Sequence, residues 1–143
     1  MSNSAGPGDR PEGTGAVFER SVDVRWRDVD ALGHVNNAVF LTYLEEGRDA
    51  FFMHTLRADP IYVLVRLELD LHAEVRYADR QVTVRIEVER VGTTSLTTRE
   101  TILTSVGEVA ARARVVTVHW DADERKPIPF TKAERAALAP ASD

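Results

Sequence analysis

Cysteine is absent from the 143-residue chain, and lysine occurs only at Lys126 and Lys132. The first absence removes disulfides, thiolate metal sites and a cysteine nucleophile in one step. Long apolar runs are missing too. No stretch approaches the roughly 20 residues a membrane span needs, so no membrane partner is expected. The opening residues, MSNSAGPGDRPEGTG, lack the basic start and apolar segment of an export signal. They predict a disordered tail over residues 1–15 and a cytoplasmic protein. Positive charge is in the minority, 18 Lys and Arg against 23 Asp and Glu, and the net of −5 offers no electrostatic footprint for nucleic acid. His54, His72 and His119 are scattered without metal-ligand spacing and read as structural or exposed; no metal and no cofactor are expected.

What is present suits one core. Phe18, Arg20, Val22, Val24 and Trp26 alternate with Glu19, Ser21, Asp23 and Arg25, close to the period of a half-buried strand. Residues 27–36 break that pattern with Asp28, Asp30, Gly33 and Asn36, a loop composition. A helix follows, with Phe40, Leu41, Leu44, Gly47 and Phe51 on one face and Thr42, Glu45, Glu46 and Asp49 on the other. Asn36 or Asn37 supplies its N-cap. Gly47 on the buried face predicts close approach of another backbone, from a sheet packed against the helix.

Four long strands are then predicted. They cover residues 63–73, 82–89, 95–103 and 109–120, with short turns at Ala78-Asp79-Arg80, Val91-Gly92-Thr93 and Ser105-Val106-Gly107. Pro127 and Pro129 mark an extended exit from the sheet. The prediction is an α+β domain over residues 16–130, an antiparallel sheet of about five strands against one central helix, with a C-terminal tail over residues 131–143.

The segment RWRDVDALGHVNNAVFLTYLEEGR, residues 25–48, resembles the signature of the hotdog-fold thioesterases, the group that includes 4-hydroxybenzoyl-CoA thioesterase and the bacterial and plant long-chain thioesterases. The resemblance runs over residues 17–129. It implies a sheet wrapped round a long helix, hydrolysis of an acyl-CoA or acyl-ACP thioester, and a homodimer or homotetramer. The family's catalytic carboxylate corresponds to Asp30, acting as nucleophile or as general base. Asp28 reads as a turn or strand-end residue.

His34, four residues after Asp30, has an active-site role or orders the loop by a hydrogen bond. The plant pattern carries an Asn two residues after the Asp, where this chain has Leu32. Asn37 sits where the helix's free N–H groups and positive dipole end could polarise a carbonyl, a role compatible with capping. Glu45 or Glu46 matches helix acids that some branches use to activate water; a solvated face is the competing reading. An apolar acyl tunnel is expected beside Phe40, Leu44 and Phe51. Arg90, Thr93 and Ser95 match the turn that holds the nucleotide of CoA, or form an exposed charged turn. The competing functions are a hotdog hydratase, which this loop fits poorly, and a non-catalytic acyl or CoA-binding module.

Overall fold

The computed structural model describes residues 17–59 and 61–140; the N-terminal tail expected from sequence lies outside them. Strand β1 (Val17–Asp23) leads into a loop and then helix α1 (Asn37–Leu56). Strands β2 (Tyr62–Leu71), β3 (Gln81–Val91), β4 (Ser95–Leu103) and β5 (Val109–Asp121) follow. A two-residue strand β6 (Lys126–Pro127) and a short helix α2 (Lys132–Leu138) complete the order. The main sheet runs β1-β3-β4-β5-β2, all antiparallel, with β6 hairpinned onto the end of β5. This is the expected antiparallel sheet against a single long helix.

Alternation builds the core. Val82, Val84, Ile86 and Val88 of β3, Leu96 and Ile102 of β4, and Ala111, Ala113 and Val115 of β5 point inward. They meet Phe40, Tyr43, Leu44, Phe51 and Phe52 of α1. The outer face carries the opposite set, and its charges pair across strands: Glu19 with Arg85 at 2.8 Å, and Glu89 with both Arg99 at 3.1 Å and Arg114 at 2.9 Å. Such exposed pairs add little stability each.

Several expectations change. β2 and β3 follow each other in sequence but lie at different places in the sheet, because residues 72–80 carry the chain across it and β2 pairs with β5. β2 is therefore an edge strand, and its expected buried face is at best half covered, with Leu64, Val65 and Leu71 exposed. A bulge at Val65 resets its register. Trp26 is not the end of β1; it opens a one-turn 3-10 helix (Trp26–Asp28) and is exposed, edge-on to Tyr77. The segment past Phe130 is not a plain tail. Thr131 caps α2 by a reciprocal pair of bonds with Glu134, Leu138 is buried, and Arg135 reaches back to the Gly92 carbonyl.

On α1, Leu41 is 43% exposed and does not join the buried face. Gly47 does, but what approaches it is a side chain and not a backbone: a Cβ there would fall 2.7 Å from Val84 Cβ and closer still to Val84 Cγ1. Gly47→Ala should therefore destabilise the protein by about 1–2 kcal/mol net, overpacking outweighing the better helix propensity of alanine. In a Val84→Ala background the overlap with Cγ1 is gone but the 2.7 Å approach to Cβ remains, so the same change should cost less without becoming favourable. Urea unfolding of the four variants checks this; destabilisation of equal size in both backgrounds would contradict it.

Candidate active site

The loop between β1 and α1 is a small hairpin. Val29 bridges Val35, the Asp30 N–H donates to the His34 carbonyl at 3.0 Å, and the Gly33 N–H donates to the Asp30 carbonyl at 3.0 Å. Gly33 has φ +87, a left-handed conformation that closes the turn and that other residues resist. Asp30 stands at the first turn position, and its Oδ1 accepts the Leu32 N–H at 2.9 Å, the usual way an aspartate stabilises a tight turn. One carboxylate oxygen is thus occupied. Oδ2 has no hydrogen-bond partner among the described residues, and the side chain is 26% exposed. His34 Nδ1 lies 3.9 Å from Asp30 Oδ1 and 3.3 Å from the Val35 carbonyl, so one imidazole nitrogen faces both the carboxylate and the loop backbone.

Asp28 fixes this hairpin to the helix. Its buried carboxylate accepts the Tyr43 hydroxyl at 2.8 Å and the Arg25 N–H at 2.9 Å, and its carbonyl accepts the Asn36 N–H at 2.9 Å. Burial first, and the Asp28 carboxylate second, push the Tyr43 phenol above its usual range, which keeps it a protonated donor. Asn36 is the N-cap, its side chain accepting the Ala38 N–H at 2.9 Å. Asn37 is not the cap but the first helical residue, exposed, and its N–H takes no partner among the described residues. The free donor at the positive end of a 20-residue helix thus follows, two residues on, the hairpin that carries a half-free carboxylate.

The other candidates are spread out. Glu46 is held by Arg25 at 3.0 Å on one side of α1. Glu45 faces the other side, into an open groove of about 550 Å³ between α1 and β2, with Leu41, Arg48, Asp49, Tyr62 and Leu67. It stands two turns beyond Asn37, about 12 Å along the axis. Phe40 and Leu44 do not line this groove; they are buried against the sheet, and Phe51 lines a different cavity with Phe18, His54 and Leu138. Arg90, Thr93 and Ser95 lie at the far end of β3 from the Asp30 hairpin, separated by roughly 30 Å of strand.

One buried pair lies outside the residues singled out from sequence. Arg48 donates through Nε and Nη2 to both Glu100 oxygens at 2.9 and 2.8 Å, and Thr98 donates to Glu100 at 2.8 Å. Burial alone would lower the Arg48 pKa; the Glu100 bonds override it and hold the guanidinium charged. Both residues continue patterns in the sequence, Arg48 four residues beyond Leu44 and Glu100 in register with Leu96 and Ile102, so periodicity carried the signal. His119 stacks on Phe130 with centroids 4.7 Å apart, and its buried Nδ1 has no partner among the described residues. Among the described residues no three His, Asp or Glu side chains cluster as a metal site would require, and no helix is long and apolar enough to cross a membrane.

If Asp28 anchors the hairpin, Tyr43→Phe should cost about 1.5–3 kcal/mol, the range for a hydrogen bond to a charged group. Chemical denaturation measures it. A loss under about half a kcal/mol would mean the bond does not hold the loop.

A profile of the thioesterase-like superfamily matches residues 24–138, which include the Asp30 hairpin and α1. Among solved structures, a predicted thioesterase from Bacillus stearothermophilus is 31% identical, with a TM-score of 0.78 over 86% of this chain and 94% of that one. A thioesterase from Thermus thermophilus, complexed with coenzyme A and zinc, is 33% identical, with a TM-score of 0.75 over 87% of this chain and 98% of that one. A 1,4-dihydroxy-2-naphthoyl-CoA thioesterase from Synechocystis, 19% identical, shares the fold with a TM-score of 0.74 over 86% and 96% of the two chains. No curated protein sequence matches. The hairpin, the helix behind it and the sheet around them are matched together, and the chain belongs to the thioesterase-like superfamily.

Proposed function

We propose that this thioester hydrolase acts on acyl-CoA, with the chemistry at Asp30. The observation that carries the reading is a carboxylate with one uncommitted oxygen on the hairpin that leads directly into an uncommitted helix N-terminal donor, seven residues further on. The kinship with a structure bound to coenzyme A supports the choice of CoA as leaving group. Asp30 Oδ2 attacks the thioester carbon, the Asn37 N–H stabilises the oxyanion, the C–S bond breaks and CoA leaves as thiol after taking a proton from water. Water then opens the mixed anhydride. Acting instead as general base, Asp30 would deliver the proton of an attacking water to the departing sulfur and reach the same products. The Leu32 N–H holds the carboxylate's orientation in either route, with His34 beside it at 3.9 Å. Glu45 lines the groove into which the acyl group extends.

The working unit is a homodimer joined at β2. An edge strand with unpaired backbone groups and exposed Leu64, Val65 and Leu71 is a surface that a second copy can complete. In a two-fold antiparallel pairing the Tyr62 end of one β2 lies beside the Leu71 end of the other. Tyr62 pairs with His119, whose N–H bonds the Thr94 carbonyl, so the turn bearing Arg90, Thr93 and Ser95 in the second copy moves toward Asp30 of the first. That arrangement lets those groups hold the nucleotide of a CoA whose thioester is at Asp30, which a single protomer does not. The second copy would also roof the groove.

Release of free thiol from short, medium, long and aryl acyl-CoAs tests the reading. Wild type should turn over at least one of them, and Asp30→Asn should lose about 10²–10⁴-fold, the usual weight of such a group. Full activity in Asp30→Asn would remove Asp30 from the mechanism. Binding of acyl-CoA with no turnover in wild type would make the chain a binding module. For the dimer, Val65→Lys places a charge on the open edge and should give a monomer by light scattering, with activity lost in parallel. An active monomer would contradict the shared site.

A further inference from the structure

The α1–β2 groove does not end in solvent on every side. Beyond it lies a second, more enclosed cavity of about 190 Å³ between the C-terminal end of α1 and the strands, lined by Phe52, Leu56, Ile61, Thr117 and Ile128 among others. Space of that order holds a benzene-sized apolar group, which needs about 150 Å³. Among the described residues, Tyr62 is the one that lines both cavities. Its hydroxyl donates to Asp49 Oδ1 at 2.7 Å, and its ring is flanked by Phe52, with centroids 5.0 Å apart, and by the Arg48 guanidinium, 5.9 Å from the ring centre. A tyrosine serving only to fill the core would have no empty space beside it. This one divides empty space, and it is pinned at its hydroxyl by a residue of the helix that forms the opposite wall.

We propose that Tyr62 is the stop that sets acyl-chain length, an inference resting on the acyl-CoA reading above. The groove runs along α1 from Leu41, one turn beyond Asn37, to Asp49, about 12 Å along the axis. An acyl group attached at Asp30 and laid in this groove meets the Tyr62 ring before it reaches the enclosed pocket. The groove also selects by charge. Glu45 and Asp49 line it, and the positive charge of Arg48 is neutralised by Glu100, so an acyl group ending in a second carboxylate is repelled and a neutral chain is accepted. The substrate class is therefore a neutral acyl chain no longer than the groove, with latent space behind Tyr62 for more.

The test is the ratio of kcat/KM for long over short acyl chains, read by thiol release along a straight-chain acyl-CoA series. Wild type should fall off once the chain outgrows the groove. Tyr62→Ala should move that fall-off to longer chains, each methylene newly buried in the pocket raising the ratio about fourfold. Tyr62→Phe keeps the ring and should keep the wild-type fall-off. Adding Ile128→Trp to Tyr62→Ala fills the pocket and should cancel the gain. If Tyr62→Ala does not fold, Tyr62→Val, suited to a strand, is read in the same way. Wild-type turnover with an unchanged ratio in the small-residue variant overturns this inference and leaves the proposed function standing. A wild type that hydrolyses no acyl-CoA overturns both.

Discussion

The candidate site depends on one buried hydrogen bond, from the Tyr43 hydroxyl to the Asp28 carboxylate. A thirteen-residue loop, 24–36, joins β1 to α1, and chain of that length has conformational freedom to lose. Asp28 removes much of it. The same residue receives the Arg25 N–H on its side chain and the Asn36 N–H on its carbonyl, so strand exit, hairpin base and helix cap meet at a single point. Everything assigned to Asp30 and to the Asn37 N–H follows from this anchoring. A carboxylate two residues further along a floating loop would have no fixed relation to the helix dipole.

The helix is fixed in turn by what lies beneath it. Gly47 lets α1 settle onto Val84, and the buried Arg48–Glu100 pair locks the helix to β4 one residue later. A buried pair of this kind adds little net stability against an apolar substitute, but losing one partner strands a charge in the core. Its value lies in register: α1 cannot slide or rotate along the sheet without breaking two short bonds. The position of α1 also determines the groove against β2, since Leu41, Glu45, Arg48 and Asp49 all come from it.

Much of this is legible in the sequence. The alternation of β3, β4 and β5 and the turn-rich break between the first strand and the helix announce an antiparallel sheet against one helix, and the signature of residues 25–48 singles out Asp30. Strand order is not legible, because local alternation says which face is buried and nothing about which strand is the neighbour; the alternation of β2 predicts a buried face that one protomer leaves at best half covered. Phe40 and Leu44 read as tunnel walls because a helix's apolar face does not reveal whether it meets packed sheet or empty space. The groove lies on the adjacent, mixed face, where Leu41 and Glu45 stand together as their spacing of four requires, although sorting the helix into an apolar and a polar face separates them. Arg48 and Glu100 escape notice because charge at an inward position is normally discounted.

The central claim, that a thioester is held between Asp30 and the start of α1, is tested most directly by a crystal structure with an unreactive acyl-CoA analogue whose sulfur-bound carbonyl is replaced by methylene. The account predicts that this methylene lies about 3–3.5 Å from Asp30 Oδ2, the distance of a near-attack geometry, with the acyl chain along the α1–β2 groove. An analogue bound with its reactive centre away from the hairpin, or with its chain between β1 and α1, would contradict it.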